Sequence, residues 1–541
     1  MRGFNDYSDG NYFVNNESNF NFNTDAVLSY SKEFSENFSL TSNLGTGVRY
    51  AKYLQSSINT DGLIVPNYYN IANSLNPVSG DNRESEEQVG SAYFTVDLEL
   101  YNWLYLGVTG RNDWVSTLPT KNNSFFYPSV STSAVLSDLF DLPTAFSLLK
   151  LRGSWSRVSD GFIPNTDSGE LSNQPYNHIE AYNQGASWNN VNSVDFSGVQ
   201  INPDLNPAIS DTWEFGLDAR FFRGRLNVDF AYYNILDKNN LILVPVSESS
   251  GFSSRLENGG KFRRRGYEIL LSGKPIKTEN FEWNVATNWT QYRRYLEESP
   301  DGSGEFNNIK EGSRMDEIWI NVFEKTPGGQ NIIQNGTRVS DPFVRKIGYD
   351  AADWSFGLQN TFRYKDFSLS ISADGRIGGL ISSITNLEMH WAGTHPNTVI
   401  PEREDAVNGI SSYIDPGVVV VQGAVTYDTN GNIVNDTRVY APNNTAVNYI
   451  SWAKDIYQKE EAFEDFYYDE TFLKIREIVF TYNFPKKNLE KTFLDDVSLS
   501  LVGRNLFLFS NVPQIDPDQG FDDQFQSPSA RSYGFNINLK F

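Results

Sequence analysis

The sequence predicts an all-β fold, an antiparallel transmembrane β-barrel, and three observations lead to that fold class. Apolar and polar residues alternate along many segments, and the connections between these segments differ sharply in length. No segment approaches the roughly 18–20 consecutive apolar residues of a membrane-spanning helix. Strands cross a bilayer only as a closed barrel, because every backbone polar group must find a partner there.

The closing segment shows the alternation most clearly. Side chains along a strand point to opposite faces in turn, so every second residue lies on one face. The apolar face of this segment consists of Tyr533, Phe535, Ile537, Leu539 and Phe541. A tilted strand of about 9–11 residues crosses the apolar part of a bilayer. The segment therefore suits a membrane strand, and an amphipathic strand that closes a soluble sandwich is the alternative interpretation.

About fourteen segments of this kind follow the period-two pattern. The clearest lie at 94–100, 213–220, 226–232, 281–290, 354–359, 367–374 and 497–501. Asp97, Asp218 and Asp229 occupy the polar faces near the middle of such segments. In a barrel these carboxylates would line a hydrated lumen, whereas in a sandwich they would face solvent.

The connections separate these two interpretations better than the strands do. Tight turns are expected at 34–38, 222–225 and 364–367, and long irregular segments at 159–210, 238–264, 293–352 and 378–470. Long loops without secondary structure are uncommon in compact domains and usually functional. Short turns at one rim and long loops at the other are typical of transmembrane barrels.

Composition excludes several classes of function. The 541 residues carry a formal net charge of −23, which disfavours nucleic acid as a partner. There is no cysteine, and hence no disulfide framework, thiolate metal site or cysteine nucleophile. The three histidines, His178, His390 and His395, all fall in expected loops and match no zinc-helix spacing. We therefore expect a protein that is not an enzyme and has no cofactor.

One acidic cluster leaves a calcium site open. Asp516, Asp518, Asp522 and Asp523 surround Gly520, and carboxylate oxygens are the ligands that Ca²⁺ prefers. The spacing does not match an EF-hand, and a solvated acidic turn is the interpretation that the sequence favours.

Aromatic residues in the expected loops are the candidate ligand-binding residues. Aromatic faces beside amides and carboxylates suit sugar rings or peptides, and the alternative is that they pack loops onto the rim. The candidates are Trp188, Trp319, Trp391, Trp452, Tyr467 and Tyr468.

Several short motifs follow one another in a characteristic order. They lie at 201–207 (INPDLNP), 212–218, 221–233, 258–260 with 265–268, 374–379, 469–478 with 482–485, 502–507 with 516–518, and 527–533. This series closely resembles the SusC/RagA family of TonB-linked outer-membrane transporters over about residues 90–541. The sequence departs from the family pattern after Pro207, where an acidic residue is usual.

The resemblance implies a function and its partners. It implies that residues 1–541 form the C-terminal part of a TonB-dependent receptor barrel, about fourteen of the family's 22 strands, without its plug domain or signal peptide. It further implies a bacterial outer-membrane importer of oligosaccharides or peptides, a SusD-like surface lipoprotein as lid, and the TonB–ExbB–ExbD complex as energy source. A surface-exposed or secreted all-β glycan-binding protein is the alternative.

Overall fold

The structure is a computed structural model of the chain. It describes residues 10–160, 198–490, 492–519 and 529–541, together with positions 179, 182–185, 191, 193–196 and 527.

In the described part of the chain, fifteen antiparallel strands form one sheet, and each strand of this series pairs with the one before it and the one after it. They are β1 (Phe13–Ser35), β2 (Phe38–Leu63), β3 (Ser74–Leu100), β4 (Leu104–Val115), β5 (Ser124–Val135), β6 (Phe146–Asp160), β7 (Ala208–Phe221), β8 (Leu226–Pro245), β9 (Ser254–Lys277), β10 (Phe281–Glu298), β11 (Trp354–Tyr364), β12 (Phe367–Ile377), β13 (Phe472–Asn483), β14 (Asp496–Ser510) and β15 (Ser532–Lys540). A short strand, Val199–Ile201, pairs in parallel with the start of β9. The prediction of about fourteen strands agrees with the fifteen along the sheet.

Short turns connect the strands at one rim of the sheet. Two residues join β1 to β2 and β11 to β12, and four residues join β7 to β8. In the last of these turns Phe222, Arg223 and Gly224 all have positive φ, which reverses the chain within a very small loop. These turns confirm the three tight connections expected from the sequence.

The opposite rim carries the long connections, which span 299–353 between β10 and β11 and 378–471 between β12 and β13. The expected long loop at 238–264 is wrong. There, β8 continues to Pro245 and β9 begins at Ser254, and the two strands pair from Lys238–Lys261 to Pro245–Ser254. Leu241 and Leu256 of this extension are buried in a hydrophobic cluster with Val199 and Leu205, which holds the extended strands at the rim.

The two faces of the sheet differ in chemistry. On the outer face, aligned residues of β6 to β10 form the row Leu151, Leu217, Phe230, Ile269 and Trp289. Large apolar residues of this face stay exposed, among them Phe215 at 55% and Leu501 at 58%. A soluble sandwich would bury such a face against a second sheet.

Aromatic residues mark both edges of the apolar band. Trp155 packs against Trp213 and Trp289 against Trp354 towards the long-loop rim, whereas Phe146 packs against Phe221 near the short turns. On β11, Trp354 and Tyr364 lie ten positions apart, which is about 34 Å along a strand and about 26 Å of height at a tilt of roughly 40°. That height is typical of the band between the two aromatic girdles of membrane barrels.

The inner face is polar and hydrogen-bonded across strands. Arg152 donates two hydrogen bonds to Asp229, at 3.0 and 2.9 Å, and lies 3.8 Å from Glu214. Hydroxyl pairs such as Thr481 and Ser500, at 2.8 Å, continue the pattern. This face is polar, as the sequence predicted.

The connections between the strands of the sheet contain helices, 3₁₀ turns and short strand pairs. The buried hydrophobic clusters lie at the long-loop rim. The helices are α1 (Leu136–Leu139), α2 (Ile384–Trp391), α3 (Pro401–Val407), α4 (Tyr449–Ile456) and α5 (Lys486–Leu489), with 3₁₀ turns at Ile71–Asn73, Glu248–Ser250, Pro396–Thr398, Glu460–Phe466 and Pro517–Gln519. Short strand pairs join Tyr182–Gln184 to Val194–Phe196, Glu305–Phe306 to Ile309–Lys310, Glu317–Ile320 to Arg345–Tyr349, Ile333–Gln334 to Thr337–Arg338, Leu380–Ser382 to Tyr467–Asp469, Val418–Gln422 to Val439–Pro442, and Val425–Tyr427 to Ile433–Asp436. None of the described helices combines the length and apolarity needed to span a membrane.

Candidate functional site: the long-loop assembly

Residues 299–353 and 378–471 pack together into one unit, which we call the loop assembly. Its core contains Phe323 from the first segment with Leu387, Trp452, Ile456 and Phe466 from the second. Since these residues come from both segments, neither long connection is an independent loop.

Capping side chains position the helices of this core. The Ser383 hydroxyl accepts a hydrogen bond from the Asn386 amide at 3.1 Å, which caps α2. The Asn448 side chain accepts from the Ser451 amide at 3.1 Å and donates to the Ala406 carbonyl at 3.1 Å, so that it caps α4 and joins it to α3. The two caps therefore position α2 and α4, which carry Leu387, Trp452 and Ile456 of the core.

A buried ion cluster ties the two segments together. The fully buried Asp415 accepts hydrogen bonds from Arg338 at 3.1 and 3.4 Å and from the Trp452 indole at 3.2 Å. Arg338 also donates to Asp465 at 2.7 Å. Burial raises the pKa of Asp415, and the neighbouring Arg338 guanidinium opposes that rise. A buried carboxylate of this kind depends on its cation.

A second cluster centres on Arg438, whose side chain is 4% exposed. It contacts Glu324 and donates to both Asp436 oxygens at 2.9 Å, and these hydrogen bonds hold the pKa of Asp436 down to about 2. The Tyr427 hydroxyl donates to Glu324 at 2.8 Å, and burial together with this carboxylate raises the Tyr427 pKa to about 12. Ion pairs therefore connect the two segments of the assembly.

A cavity of about 730 Å³ opens beside these clusters. Its lining combines apolar side chains with charges of both signs, including Lys325 bonded to Glu464 at 2.7 Å and Arg345 bonded to Asp341 at 2.9 Å. Tyr467 also lines the cavity. Such a surface can bind a ligand through hydrogen bonds and through apolar contact at the same time.

An ion cluster joins the rim to the wall of the sheet. The buried Lys474 on β13 donates to Asp516 at 2.6 Å and to Asp518 at 3.2 Å, and Arg476 donates to Asp374 and Asp518 at 2.7 Å each. The motifs at 374–379, 469–478 and 516–518 therefore meet at one place. Asp516 and Asp518 are counter-ions here, and calcium stays an untested prediction, since Gly520, Asp522 and Asp523 lie outside the described residues.

Hydrogen bonds of the Asn258 side chain join two further motifs at the rim. The Asn258 side chain accepts from the Asn206 amide at 2.8 Å and donates to the carbonyls of Asn206 and Asn239 at 2.8 and 2.9 Å. Gly259 is needed because a Cβ there would lie 2.7 Å from the Pro300 carbonyl oxygen. The motifs at 201–207 and 258–260 thus close one corner of the rim.

The structure places the candidate aromatic residues in different environments. Trp452 is 6% exposed inside the core, Tyr468 packs against that core, and Trp319 donates its indole N–H to Glu317 at 3.0 Å. Trp391 ends α2, and the buried indole nitrogen has no acceptor among the described residues. Of the five candidates that the structure describes, only Tyr467 lines the cavity, and Trp188 lies outside the described residues. Their contact with a ligand stays a prediction.

Two of the histidines also belong to the core. His390 and His395 stack with ring centroids 4.0 Å apart, and His390 packs against Tyr457 and Phe466. Burial lowers the His390 pKa. Among the described residues no group of three or more His, Asp or Glu is arranged to hold a metal ion. His178 lies outside that part of the chain.

Sequence reasoning missed the residues that organise the site. Arg338 and Asp415 lie 77 positions apart, and Glu324 and Arg438 lie 114 apart. Each stands in a polar segment, where a charged residue is expected to be solvated. No local signal could have singled them out.

Comparison with known proteins agrees with this architecture. The family model described as "TonB dependent receptor-like, beta-barrel" matches residues 2–444. The chain belongs to this family. The fifteen-stranded sheet is therefore the wall of a TonB-dependent receptor barrel, which confirms the predicted fold class and the SusC/RagA resemblance.

The relatives that support this assignment are distant. TonB-dependent receptor P3 of Formosa agariphila is 23% identical over 512 residues, covering 84% of this chain and 46% of that protein. TonB-dependent receptor SusC of Bacteroides thetaiotaomicron is 26% identical over 200 residues, covering 32% of this chain and 20% of SusC. The RagAB peptide importer in its closed-closed state gives a TM-score of 0.74 at 16% identity, over 98% of this chain and 56% of that one. The chain thus spans about half the length of its curated relatives.

Proposed function

We propose that this chain forms the barrel portion of an energy-coupled outer-membrane importer for oligosaccharides or peptides. The observation that carries the proposal is the contrast between the two faces of the sheet. Apolar and aromatic rows stay exposed on the outside, whereas Arg152, Asp229 and Glu214 line the inside. This arrangement suits a lipid-embedded shell around an aqueous path.

The loop assembly is the part that we propose to bind the substrate. Its charges, hydroxyls and apolar side chains surround the cavity beside Tyr467. The family to which the chain belongs consists of transporters rather than enzymes, and the proposed role requires no bond chemistry of this protein. The short turns would face the periplasm and the loop assembly the cell exterior.

The family also supports two partners. A SusD-like lipoprotein would close over the loop assembly, and the TonB–ExbB–ExbD complex would supply energy through a plug domain. One structural neighbour, RagAB, is a peptide importer, and that substrate class belongs to RagAB. For this chain both peptides and oligosaccharides stay proposals.

A combined localisation and growth experiment tests the proposal. Affinity-tagged protein should fractionate with the outer membrane, show heat-modifiable mobility in gels, and co-purify with a lipoprotein. A strain lacking the gene should lose growth on one class of oligosaccharide or peptide, as should a strain lacking TonB. Recovery of the protein in a soluble fraction would refute the proposal and favour a secreted glycan-binding protein.

A further inference from the structure

The outer face of the sheet changes from apolar to charged within a few residues on adjacent strands, and the cations of this region come from β6, β8 and β9. Above the row that contains Trp155 and Trp213, the next aligned row reads Arg157, Asp211, Leu236, Arg263 and Tyr295 across β6 to β10. Arg157 and Arg263 lie in this row, and strand pairing places Lys238 directly opposite Lys261 in the row beyond it, on the side of the long loops.

We call this patch the basic band, and its cations are Arg157, Lys238, Lys261, Arg263 and Arg265. Three carboxylates, Asp211, Glu297 and Glu298, lie among them, so five cations against three anions leave a net charge of +2. A local positive charge is unexpected in a chain whose net charge is −23. The band thus has the opposite sign to the net charge of the chain.

The contacts leave positive charge available to a ligand. Arg157 and Lys238 share one carboxylate, Asp211, at 2.7 and 2.6 Å. Arg265 is exposed and lies 4.4 Å over the Tyr295 ring. The other four cations keep 28–44% of their side chains exposed; they are Arg157, Lys238, Lys261 and Arg263. An anion can approach all of them from outside the sheet.

The position of the band identifies the occupant. Side chains on this face that lie below Trp213 are lipid-facing in the proposed function, so the band lies at the level of the lipid headgroups. Arginine and lysine at that level bind phosphate groups, and arginine can do so through two parallel hydrogen bonds. On the side of the long loops, the lipid of the outer leaflet supplies those phosphates.

We infer that the basic band binds the phosphate groups of lipid A, the phosphorylated glycolipid of the outer leaflet. The inference rests on the proposed function, because it requires that the long-loop rim face the cell exterior. The outer face of β2 and β3 offers a contrast, since Lys52 there is bonded to both Glu84 and Glu86 and that patch is net negative. Lipid A should bind at β6 to β9 and not at β2 and β3.

Native mass spectrometry of the protein purified from outer membranes tests the inference. After delipidation, the protein is titrated with phosphorylated lipid A, with its phosphate-free derivative, and with phosphatidylglycerol. The variants are the double substitution K238Q/R265Q, its charge-preserving counterpart K238R/R265K, and K52Q as the control. Heat-modifiable mobility verifies that each variant is folded.

We expect phosphorylated lipid A to bind at least about tenfold more tightly than the other two lipids. Each cation near an anionic surface contributes about fivefold, so K238Q/R265Q should weaken binding roughly 25-fold, while K238R/R265K and K52Q bind as the wild type. Equal binding of the phosphate-free lipid, preference for phosphatidylglycerol, or unchanged binding by K238Q/R265Q would overturn the inference. Absence of the protein from the outer membrane would instead overturn the proposed function.

Discussion

Replacement of Arg338 by methionine should open the loop assembly. The side chain of Asp415 is fully buried and that of Arg338 is 12% exposed, so the substitution leaves a buried carboxylate with the Trp452 indole as its remaining donor among the described side chains. Breaking a buried pair by removing one partner costs about 3–5 kcal/mol. Because protonation of Asp415 can relieve part of this penalty, we expect about 3 kcal/mol at pH 7.

Hydrogen exchange of the α4 and 460–466 amides measures this local opening. A loss of about 3 kcal/mol corresponds to an opening equilibrium at least about 100-fold larger. The effect should shrink as the pH falls, since the raised pKa of Asp415 means that the buried carboxyl gains a proton in acid. Exchange is preferable to thermal unfolding, because large membrane proteins often unfold irreversibly.

A double variant and a control define the result that would refute this reasoning. R338M/D415N removes both charges and should recover exchange to within about 1–2 kcal/mol of the wild type. Arg83→Met removes an arginine that is 70% exposed and paired with Asp81, and it should change nothing. Wild-type exchange in R338M, or no recovery in R338M/D415N, would show that the ion cluster does not hold the segments together.

Three further outcomes follow from the structure. Phe215→Lys places a charge on the lipid-facing side and should lower the free energy of unfolding of the barrel in a bilayer by about 2–4 kcal/mol, whereas Ser154→Lys on the inner face should not; equal effects would contradict the assignment of the faces. Because burial lowers the His390 pKa, the unfolded chain binds more protons, so exchange in the loop assembly should rise as the pH falls below about 6.5, and His390→Phe should abolish that rise. Asn258→Ala removes three hydrogen bonds and should speed exchange at Asn206 by an amount equivalent to about 1–3 kcal/mol, and unaltered protection there would show that the Asn258 side chain does not hold the two motifs together.

The strands and their faces could be predicted because their information is local. A strand needs only alternation with a period of two, and the row of Tyr533, Phe535 and Ile537 carries it within a few residues. The wrong connection at 238–264 shows the limit of that signal. There, Leu241 to Pro245 are consecutive apolar residues without a period of two, and their pairing with β9 depends on the neighbouring strand rather than on their own pattern.

The loop aromatics show why the candidate site resisted prediction. Trp452 and Tyr467 both stand in long polar segments, yet one is buried beside Asp415 and the other lines a cavity. Which of them is exposed depends on how residues 299–353 fold against residues 378–471. Nothing in the spacing of either segment encodes that contact.

The sequence by itself determined the all-β class, the two faces of the wall, the turns at one rim and the family of the chain. These properties follow from the alternation of side chains along each strand and from short motifs in a recognisable order. Only the tertiary structure decided which distant charges meet, as Arg338 meets Asp415 and Lys474 meets Asp516. The physical reason is that a charged residue in a polar segment has the same local pattern whether water or a buried partner neutralises it.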